Sequence, residues 1–282
     1  MKLHRLSSVQ VRWSVDSSLD QLVLVNNAKR ALDRGHFELI YQPVYSVDHR
    51  EVDSLETLLR WRTRPNMLAA AQEFRAIFRD PALSLSIRDF VLEKTLSQAA
   101  QWRAEGHDFG RIAVNTTAFD LCSGDFALWL SEMMDAHRLT PDMLEIEVPE
   151  PAFYGPQAKQ VGLALEALHY CGFSLALDNF GATHAGLAAL RQHPFRRLKI
   201  DHGLMRSALT NPIDKAIVKN VISLGHDLGL IVTAAGVESE AQMETAVQLG
   251  FDSVQGFFVC FPKEAEMVPR VCQILNLQGR SA

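Results

Sequence analysis

The chain has 282 residues, of which 48% are hydrophobic and 22% are charged, and its formal net charge is -5. This composition is typical of a globular protein with a large buried core. The mild acidity argues against a broad surface for nucleic acid or for an anionic membrane. Stretches without a charged residue reach about a dozen residues, well short of the roughly 20 that a membrane-spanning helix needs.

Short apolar runs alternate with longer runs of helical spacing along the chain. The apolar runs, which we predict as strands, are residues 37–41, 55–61, 111–115, 144–148, 173–178, 197–200, 230–234 and 253–258. The predicted helices are residues 22–34, 87–101, 126–137, 157–170, 214–228 and 240–249. This alternation predicts βαβ units around a mainly parallel sheet. About eight strands in about 250 residues favour an α/β fold, a (β/α)8 TIM-like barrel in a single domain, with a doubly wound open sheet as the alternative.

No repeat, low-complexity tract or linker rich in Pro, Gly and Ser divides the chain. We therefore predict one barrel domain over residues 26–277, an N-terminal extension over residues 1–25 and a tail over residues 278–282. The extension matches no strong pattern, and both an extra strand and a loose arm are compatible with it.

The cysteines and the N-terminus bear on the compartment. The four cysteines are Cys122, Cys171, Cys260 and Cys272, and no two of them form a CxxC pair. We interpret them as reduced thiols of a cytoplasmic protein. Arg5, Arg12 and Asp16 interrupt the N-terminal segment, so we expect no secretory signal there.

Several predicted strands carry polar residues at or near their C-terminal ends, where barrels of this type place their chemistry. These residues are Glu56, Arg60, Asn115, Glu145, Glu147, Asp178, Asn179 and Lys199. Carboxylates and an amide that converge from four strands form an oxygen-rich site suited to Mg²⁺ or Mn²⁺. A nearby lysine could orient a water, and an arginine could pair with phosphate. The pattern favours metal-assisted phosphate chemistry.

A single charged residue at a strand end is more often a solvated cap than a functional group. Alternation places Glu145 and Glu147 on the same side of their strand, so one of them could face a helix or solvent. It is the coincidence of four or five such strand ends that carries the functional interpretation.

Other motifs are absent or have an ordinary structural interpretation. The ten histidines show no HExxH spacing, and neither GxxxxGK[ST] nor GxGxxG occurs. The aromatic residues that we interpret as core and not as a nucleobase platform are Trp61, Trp102, Phe257, Phe258 and Phe261.

Seven blocks of sequence carry a resemblance to a known family. They are YQPV (41–44), ETLLRW (56–61), NTTAFDL (115–121), LEIEVPE (144–150), LDNFGATHAGLAALRQHPFRRLKID (177–201), AAGVESEAQ (234–242) and VQGFFVCFP (254–262). In this order and spacing they resemble the EAL domain over roughly residues 25–277. The resemblance implies a (β/α)8 barrel that acts as a phosphodiesterase on the bacterial second messenger cyclic di-GMP. No block of the GGDEF cyclase type is present.

The resemblance also implies roles for individual residues. The metal ligands would be Glu56, Asn115, Glu147 and Asp178, although the signature reads Glu-Thr-Leu here instead of Glu-Ala-Leu. The catalytic residues would be Lys199, which contacts the nucleophilic water, together with Gln255 and Glu238. The substrate-binding residues would be Gln42, Leu58 and Arg60, with Arg60 on the phosphate. Glu150 would anchor the loop after strand five.

Two departures from the family pattern are central to the functional prediction. Asn179 stands where the family has the second of two aspartates, and Ala235 stands where a catalytic glutamate is expected. Hydrolysis in the family uses two Mg²⁺ or Mn²⁺ ions, and anionic ligands offset the repulsion between them. We therefore expect a single weak metal site or none, and a rate lower by on the order of 10³-fold or more. A softer departure is the loop Phe-Gly-Ala-Thr-His at residues 180–184.

Three hypotheses follow from these matches and departures. The first is a degenerate EAL domain that binds cyclic di-GMP, a regulatory protein partner or both, with weak or no hydrolysis. The second is a working, slower phosphodiesterase that produces the linear dinucleotide pGpG. The third is an interaction module that no longer binds nucleotide, which the altered loop and Phe261, at a position that is usually basic, would fit. A homodimer is expected by resemblance only, and neither membrane nor direct nucleic-acid binding is expected.

Overall fold

Nine strands and eleven α-helices alternate along the part of the chain that the structure describes. The computed structural model describes residues 18–64, 67–181 and 186–281. The strands are β1 (Phe37–Ser46), β2 (Glu51–Arg64), β3 (Met67–Ala70), β4 (Arg111–Asn115), β5 (Leu144–Pro149), β6 (Ser174–Phe180), β7 (Arg197–Ile200), β8 (Ile231–Ala235) and β9 (Ser253–Gln255). The helices are α1 (Ser18–Asp33), α2 (Ala71–Phe74), α3 (Pro81–Ala104), α4 (Ala118–Leu121), α5 (Phe126–Ala136), α6 (Ala158–Tyr170), α7 (Gly186–Gln192), α8 (His202–Ser207), α9 (Pro212–Asp227), α10 (Glu240–Leu249) and α11 (Val268–Ser281).

The sheet closes on itself. Its strand order is β1-β9-β8-β7-β6-β5-β4-β2-β3, and β1 also pairs with β2, so that eight strands form a barrel. The pairs from β2 and β4 through to β8 and β9 are parallel, whereas β1 is antiparallel to β9. The predicted (β/α)8 barrel is thus confirmed. The doubly wound alternative is wrong, because that fold leaves its sheet open at two edges.

The described residues form two compact units, one of residues 18–38 and 59–87 and the other of residues 39–58 and 88–281. In the first unit, β3 pairs antiparallel with the last part of β2. The rings of Phe37, Trp61 and Phe74 pack there with centroids 5.3–5.8 Å apart. Arg62 pairs with Glu38 in the same unit, with Nη2 donating to Oε2 at 2.6 Å.

The second unit contains the barrel and its apolar core. Leu55, Ile146, Leu177 and Leu198, from four different strands, are all fully buried. Strands of a parallel sheet are covered on both faces, so they read as nearly continuous apolar runs. This is the reason that the strands were visible in the sequence, and it is also the reason that polar residues within them require an explanation.

Local chemistry sets the bounds of several helices in the second unit. Ser239 accepts a hydrogen bond from the backbone N–H of Gln242, whose side chain in turn accepts from the N–H of Ser239, which forms a capping box before α10. That helix ends at Gly250, whose φ of +86° lies in the left-handed region that favours glycine. Asp201 caps α8 by accepting from the N–H of Gly203 at 2.8 Å.

The limits predicted for the domain, the extension and the tail stay predictions. Residues 1–17 lie outside the described residues, and so does the loop at residues 182–185. No helix of the described part of the chain has the length and apolar character that crossing a membrane requires.

Candidate functional site

Six barrel strands bring six predicted site residues together, five of them at or near the C-terminal end of the strand and Glu56 within the long strand β2. They are Glu56 on β2, Asn115 on β4, Glu147 on β5, Asp178 on β6, Lys199 on β7 and Gln255 on β9. The strand register sets this convergence, because Asn115 pairs with Glu147 across β4 and β5, and Pro149 pairs with Asp178 across β5 and β6. Side chains from neighbouring parallel strands meet at one mouth of a closed barrel. We call this group of side chains the mouth cluster.

Lys199 lies at the centre of the mouth cluster. Its ammonium donates to Glu147 Oε1 at 2.5 Å and to Glu56 Oε2 at 3.1 Å, and it lies 3.8 Å from Asp178 Oδ1. The lysine side chain is only 3% exposed, so these carboxylates replace water around its charge. Burial lowers the pKa of Lys199, but Glu147, Glu56 and Asp178 outweigh burial and leave its pKa raised. The lysine is therefore held in its charged form.

Glu56 is the most fully hydrogen-bonded carboxylate of the cluster. Asn115 Nδ2 donates to its Oε1 at 2.7 Å, and Gln255 Nε2 donates to its Oε2 at 2.6 Å. Burial raises the pKa of Glu56, but Lys199 and the two amide donors outweigh it, so the pKa is lowered. Glu56 is thus ionised and directed at three donors.

Glu147 and Asp178 are less well compensated than Glu56. Burial and the nearby Glu56 carboxylate hold the pKa of Glu147 well above its usual range despite Lys199. Burial also raises the pKa of Asp178, and Lys199 only partly opposes it. Glu147 Oε2 is buried and has no hydrogen-bond partner among the described residues. The charged forms of these two carboxylates are therefore less favourable in the pocket than they would be in water.

Asn179 and Ala235 lie at the C-terminal ends of β6 and β8. Asn179 has a φ of +57°, a left-handed conformation that asparagine tolerates better than most residues. Its side-chain N–H₂ donates to Asp178 Oδ2. Ala235 pairs with Gln255 across β8 and β9 and has only a methyl side chain. At both positions the chain provides no carboxylate.

Glu150 begins the segment after β5 and contacts a different loop. Its Oε1 accepts from the N–H of Gly186 at 2.7 Å, and its Oε2 accepts from the N–H of Gly181 at 3.1 Å. Those two glycines flank residues 182–185, which follow β6. The fifth strand predicted from the sequence, residues 173–178, corresponds to β6, so the carboxylate of Glu150 contacts the loop to which the resemblance assigned it. Its role as an anchor of that loop stays a prediction.

The remaining predicted site residues are not members of the mouth cluster. Gln42, on β1, is buried and donates to the carbonyl of Cys260 at 3.1 Å. Leu58 is half-buried on β2, and the side chain of Glu238 is exposed before α10. Arg60 belongs to the first unit, where its Nη1 donates to the carbonyl of Leu59 at 2.9 Å. Their functional roles stay predictions.

The loop after β9 is more exposed than the sequence predicted. Trp61 and Trp102 are buried as expected, but Phe257, Phe258 and Phe261 are 47%, 46% and 58% exposed. The core interpretation is wrong for these three phenylalanines, because each of them is about half exposed. The rings of Phe257 and Phe261 stack with centroids 4.6 Å apart.

The barrel interior also contains a second ionic layer, formed by Arg197 and Glu145, that the sequence analysis did not predict. Arg197, fully buried on β7, donates to Glu145 Oε1 and to Thr233 Oγ1, both at 2.8 Å, and pairs with Asp53. Glu145 is 1% exposed and also accepts from Ser174 at 3.2 Å. The expectation that one glutamate of β5 faces a helix or solvent is therefore wrong, since both lie in the barrel interior. The signal was present in the sequence, because Arg197 and Glu145 each lie two residues before a member of the mouth cluster.

The mouth cluster does not fit a pair of divalent ions. Among the described residues no group of three Asp, Glu, His or Cys side chains is arranged to hold a metal. The oxygens of Glu56 face three donors, and the ammonium of Lys199 lies between the carboxylates. Carboxylate and amide oxygens remain chemically suited to Mg²⁺ or Mn²⁺, so the ligand assignment stays a prediction.

Comparison with known proteins identifies the sequence blocks as one family. A family model described as the EAL domain matches residues 25–262. The signaling protein YkoW of Bacillus subtilis is 31% identical over 236 residues, which cover 83% of this chain and 29% of that protein. The bifunctional diguanylate cyclase/cyclic di-GMP phosphodiesterase MucR of Pseudomonas aeruginosa is 32% identical over 250 residues, which cover 88% of this chain and 36% of MucR. The chain thus spans about a third of the length of these relatives.

Solved structures show the same barrel. The structure of the MucR phosphodiesterase in complex with c-di-GMP has a TM-score of 0.81 and 31% identity, and the match covers 87% of this chain and 99% of that one. The EAL domain of FimX from Pseudomonas aeruginosa, bound to c-di-GMP, has a TM-score of 0.75 over 86% of this chain and 96% of that one. At 22% identity, the FimX comparison supports the fold alone.

Proposed function

The chain belongs to the EAL domain family, and from that premise we propose that it is a degenerate member. In this proposal it binds cyclic di-GMP, a protein partner or both, with weak or no hydrolysis. The observation that carries the proposal is the chemistry of two strand ends. Asn179 directs an amide donor at Asp178, and Ala235 provides no oxygen ligand.

Loss of hydrolysis follows from the charge that these positions lack. The resemblance implies two divalent ions with a bridging water whose pKa they lower. Two dications in one pocket repel each other, and ligand carboxylates offset that repulsion. With no acids at 179 and 235, the chain would hold a second ion with two fewer carboxylates, since only those of Glu56, Glu147 and Asp178 remain. Because the parts of such a unit act together, the loss of two of them costs on the order of 10³-fold or more in rate.

Nucleotide binding draws on residues that the chain retains. Gln42, Leu58 and Arg60 match positions that contact nucleotide in the family. Gln42 is already oriented by its hydrogen bond to Cys260. The MucR phosphodiesterase was solved as a complex with c-di-GMP, which supports the same ligand for a chain 31% identical to it.

A working, slower phosphodiesterase is the second candidate. It is favoured by the retention of the mouth cluster, whose Glu56, Asn115, Glu147, Asp178, Lys199 and Gln255 side chains converge at one barrel mouth. In this alternative the chain hydrolyses cyclic di-GMP to pGpG with the help of Mg²⁺ or Mn²⁺.

One assay separates the two candidates. Purified protein is incubated with cyclic di-GMP and Mg²⁺ or Mn²⁺, the linear dinucleotide is quantified, and a binding titration is run on the same preparation. We expect binding without appreciable turnover, and we expect Asn179→Asp/Ala235→Glu to gain activity. The proposal fails if the unaltered chain converts the nucleotide briskly. If neither binding nor turnover occurs, the chain does not use this nucleotide, and the partner-binding part of the proposal remains to be tested.

We also propose a cytoplasmic location, which the four unpaired cysteine thiols support. A regulatory protein partner would be compatible with the aromatic loop after β9, where Phe257, Phe258 and Phe261 are about half exposed.

A further inference from the structure

Most of the acidic oxygens of the mouth cluster are already paired with donors of the chain itself. Glu56 accepts from Asn115 at one oxygen and from Lys199 and Gln255 at the other. Glu147 accepts from Lys199 through Oε1, while its Oε2 has no partner among the described residues. A metal ion that bound both oxygens of Glu56 would have to displace the three donors of that carboxylate.

Asp178 is engaged in the same way. Its Oδ2 accepts from Asn179, and its Oδ1 lies 3.8 Å from the ammonium of Lys199. An aspartate at position 179 would offer a second carboxylate there, whereas the amide of Asn179 binds the first one. Asn179 therefore changes the site in two ways: it removes a carboxylate that could bind a metal, and it adds an N–H group that donates to Asp178.

The charge balance of the pocket depends on the two substituted positions. Three carboxylates, of Glu56, Glu147 and Asp178, face one ammonium, which leaves two net negative charges when all are ionised. Acids at positions 179 and 235 would add two more. The repulsion that a phosphate anion would meet in a pocket without metal is therefore smaller in this chain.

We infer that Lys199 is the resident cation of the mouth cluster and that the chain binds cyclic di-GMP without a divalent metal ion. The inference rests on the proposed function for its ligand. Asn179 and Ala235 then favour binding of an anion, because they lower the negative charge of the pocket. The single positive charge of Lys199 can balance a larger share of the charge that remains. The same two changes that disfavour hydrolysis favour a metal-free receptor.

The test is a binding cycle in two buffers, one with EDTA and one with Mn²⁺. Calorimetric titration of cyclic di-GMP into the full chain should give Kd values that agree within about twofold, since the metal contributes little to binding. Asn179→Asp/Ala235→Glu should bind at least about tenfold more weakly in EDTA than in Mn²⁺. The matched control is Asn220→Asp/Ala216→Glu, which makes the same chemical changes on the exposed face of α9 and should behave as the unaltered chain does.

A second measurement uses Mn²⁺ alone and keeps the inference separate from the proposed function. Mn²⁺ should leave the Tm of the unaltered chain unchanged and raise that of Asn179→Asp/Ala235→Glu. A rise in the Tm of the unaltered chain, or a loss of about tenfold or more in its nucleotide affinity in EDTA, overturns the inference. If cyclic di-GMP binds in neither buffer, the receptor function and the metal-free binding mode both fail, and the Mn²⁺ measurement alone decides whether Lys199 is the resident cation.

Discussion

At the residue scale, Asn179 differs from the expected aspartate only by an N–H₂ group in place of one carboxylate oxygen, and this difference changes the chemistry of the site. Asparagine and aspartate have nearly the same shape and both tolerate the left-handed conformation found at this position. The amide, however, donates a hydrogen bond where a carboxylate could only accept one. The backbone of the site is thus compatible with either residue, while the chemistry at Asp178 differs between them.

Glu150 provides a prediction at the same scale. Its buried carboxylate accepts from the N–H groups of Gly181 and Gly186. In Glu150→Gln an N–H₂ donor replaces one acceptor, so one buried N–H loses its partner. We expect the free energy of unfolding to fall by about 2 kcal/mol, measured by urea denaturation.

The control for this change is Glu244→Gln, on the exposed side of α10, which should leave the unfolding free energy unaltered. A Glu150→Gln protein as stable as the unaltered chain would show that the carboxylate does not hold the loop after β6.

His193 provides a prediction of pH dependence. Its ring stacks on Phe153 with centroids 5.3 Å apart, and Nδ1 is buried with no hydrogen-bond partner in the described part of the chain. Burial lowers the pKa of His193 from its ordinary value of 6.5, and Glu166 opposes this only in part. As the pH falls below 6.5, the unfolded chain takes up this proton before the folded chain does, so protonation favours unfolding.

We therefore expect the free energy of unfolding to decrease between about pH 6.5 and pH 5 more steeply in the unaltered chain than in His193→Asn. Urea denaturation across this range measures the difference. Gln192→Asn, a neighbouring change without a titrating group, should keep the original slope. Parallel curves for the unaltered chain and His193→Asn would contradict the assignment.

At the scale of elements, β5 and β7 each place two charged residues inside the barrel. Glu147 and Lys199 belong to the mouth cluster, and Glu145 and Arg197 form the layer below it. A spacing of two residues keeps both layers on the same face of each strand. The two layers therefore depend on the same register between these strands.

Arg197→Met tests this layer. The change leaves the carboxylate of Glu145 buried without its cation, and we expect a loss of about 3–5 kcal/mol in the free energy of unfolding. Arg197→Met/Glu145→Gln should regain part of that loss, because the uncompensated charge is gone. Urea denaturation compares both with Lys219→Met, on the exposed side of α9, which should be neutral. Equal stability of the single and double variants would argue against an ionic role for Arg197.

The sequence predicted the elements with a clear apolar run or clear caps better than the others. The predicted bounds agree with the structure for β4, β7 and α10, each of which has one of these signals. The elements that were not predicted are β3, α2, α4, α7, α8 and the C-terminal α11. Helices of four to seven residues contain too few residues for their periodicity to be recognised, and tertiary packing decides whether they form.

For the whole molecule, the homodimer stays a prediction that the family resemblance implies. Sedimentation equilibrium of the full chain should give twice the mass of one chain. The exposed apolar residues Leu163, Tyr170 and Leu187 provide surface that an association could cover. A monomer at all accessible concentrations would contradict this prediction, and it would leave the nucleotide proposal untouched.

The sequence alone determined which residue types lie at the strand ends, and it identified the two positions where acids are missing. It did so because strand periodicity and residue identity are local properties, readable within a few positions. Only the tertiary structure decided that Lys199 contacts Glu56, 143 positions away, and that Arg197 lies beneath it. Those contacts depend on closure of the barrel and on the register between strands. Both result from many weak interactions between residues that are distant in the sequence, and no local pattern encodes them. The missing acids are thus readable in the sequence, whereas the cation that replaces a metal in our inference is visible only in the fold.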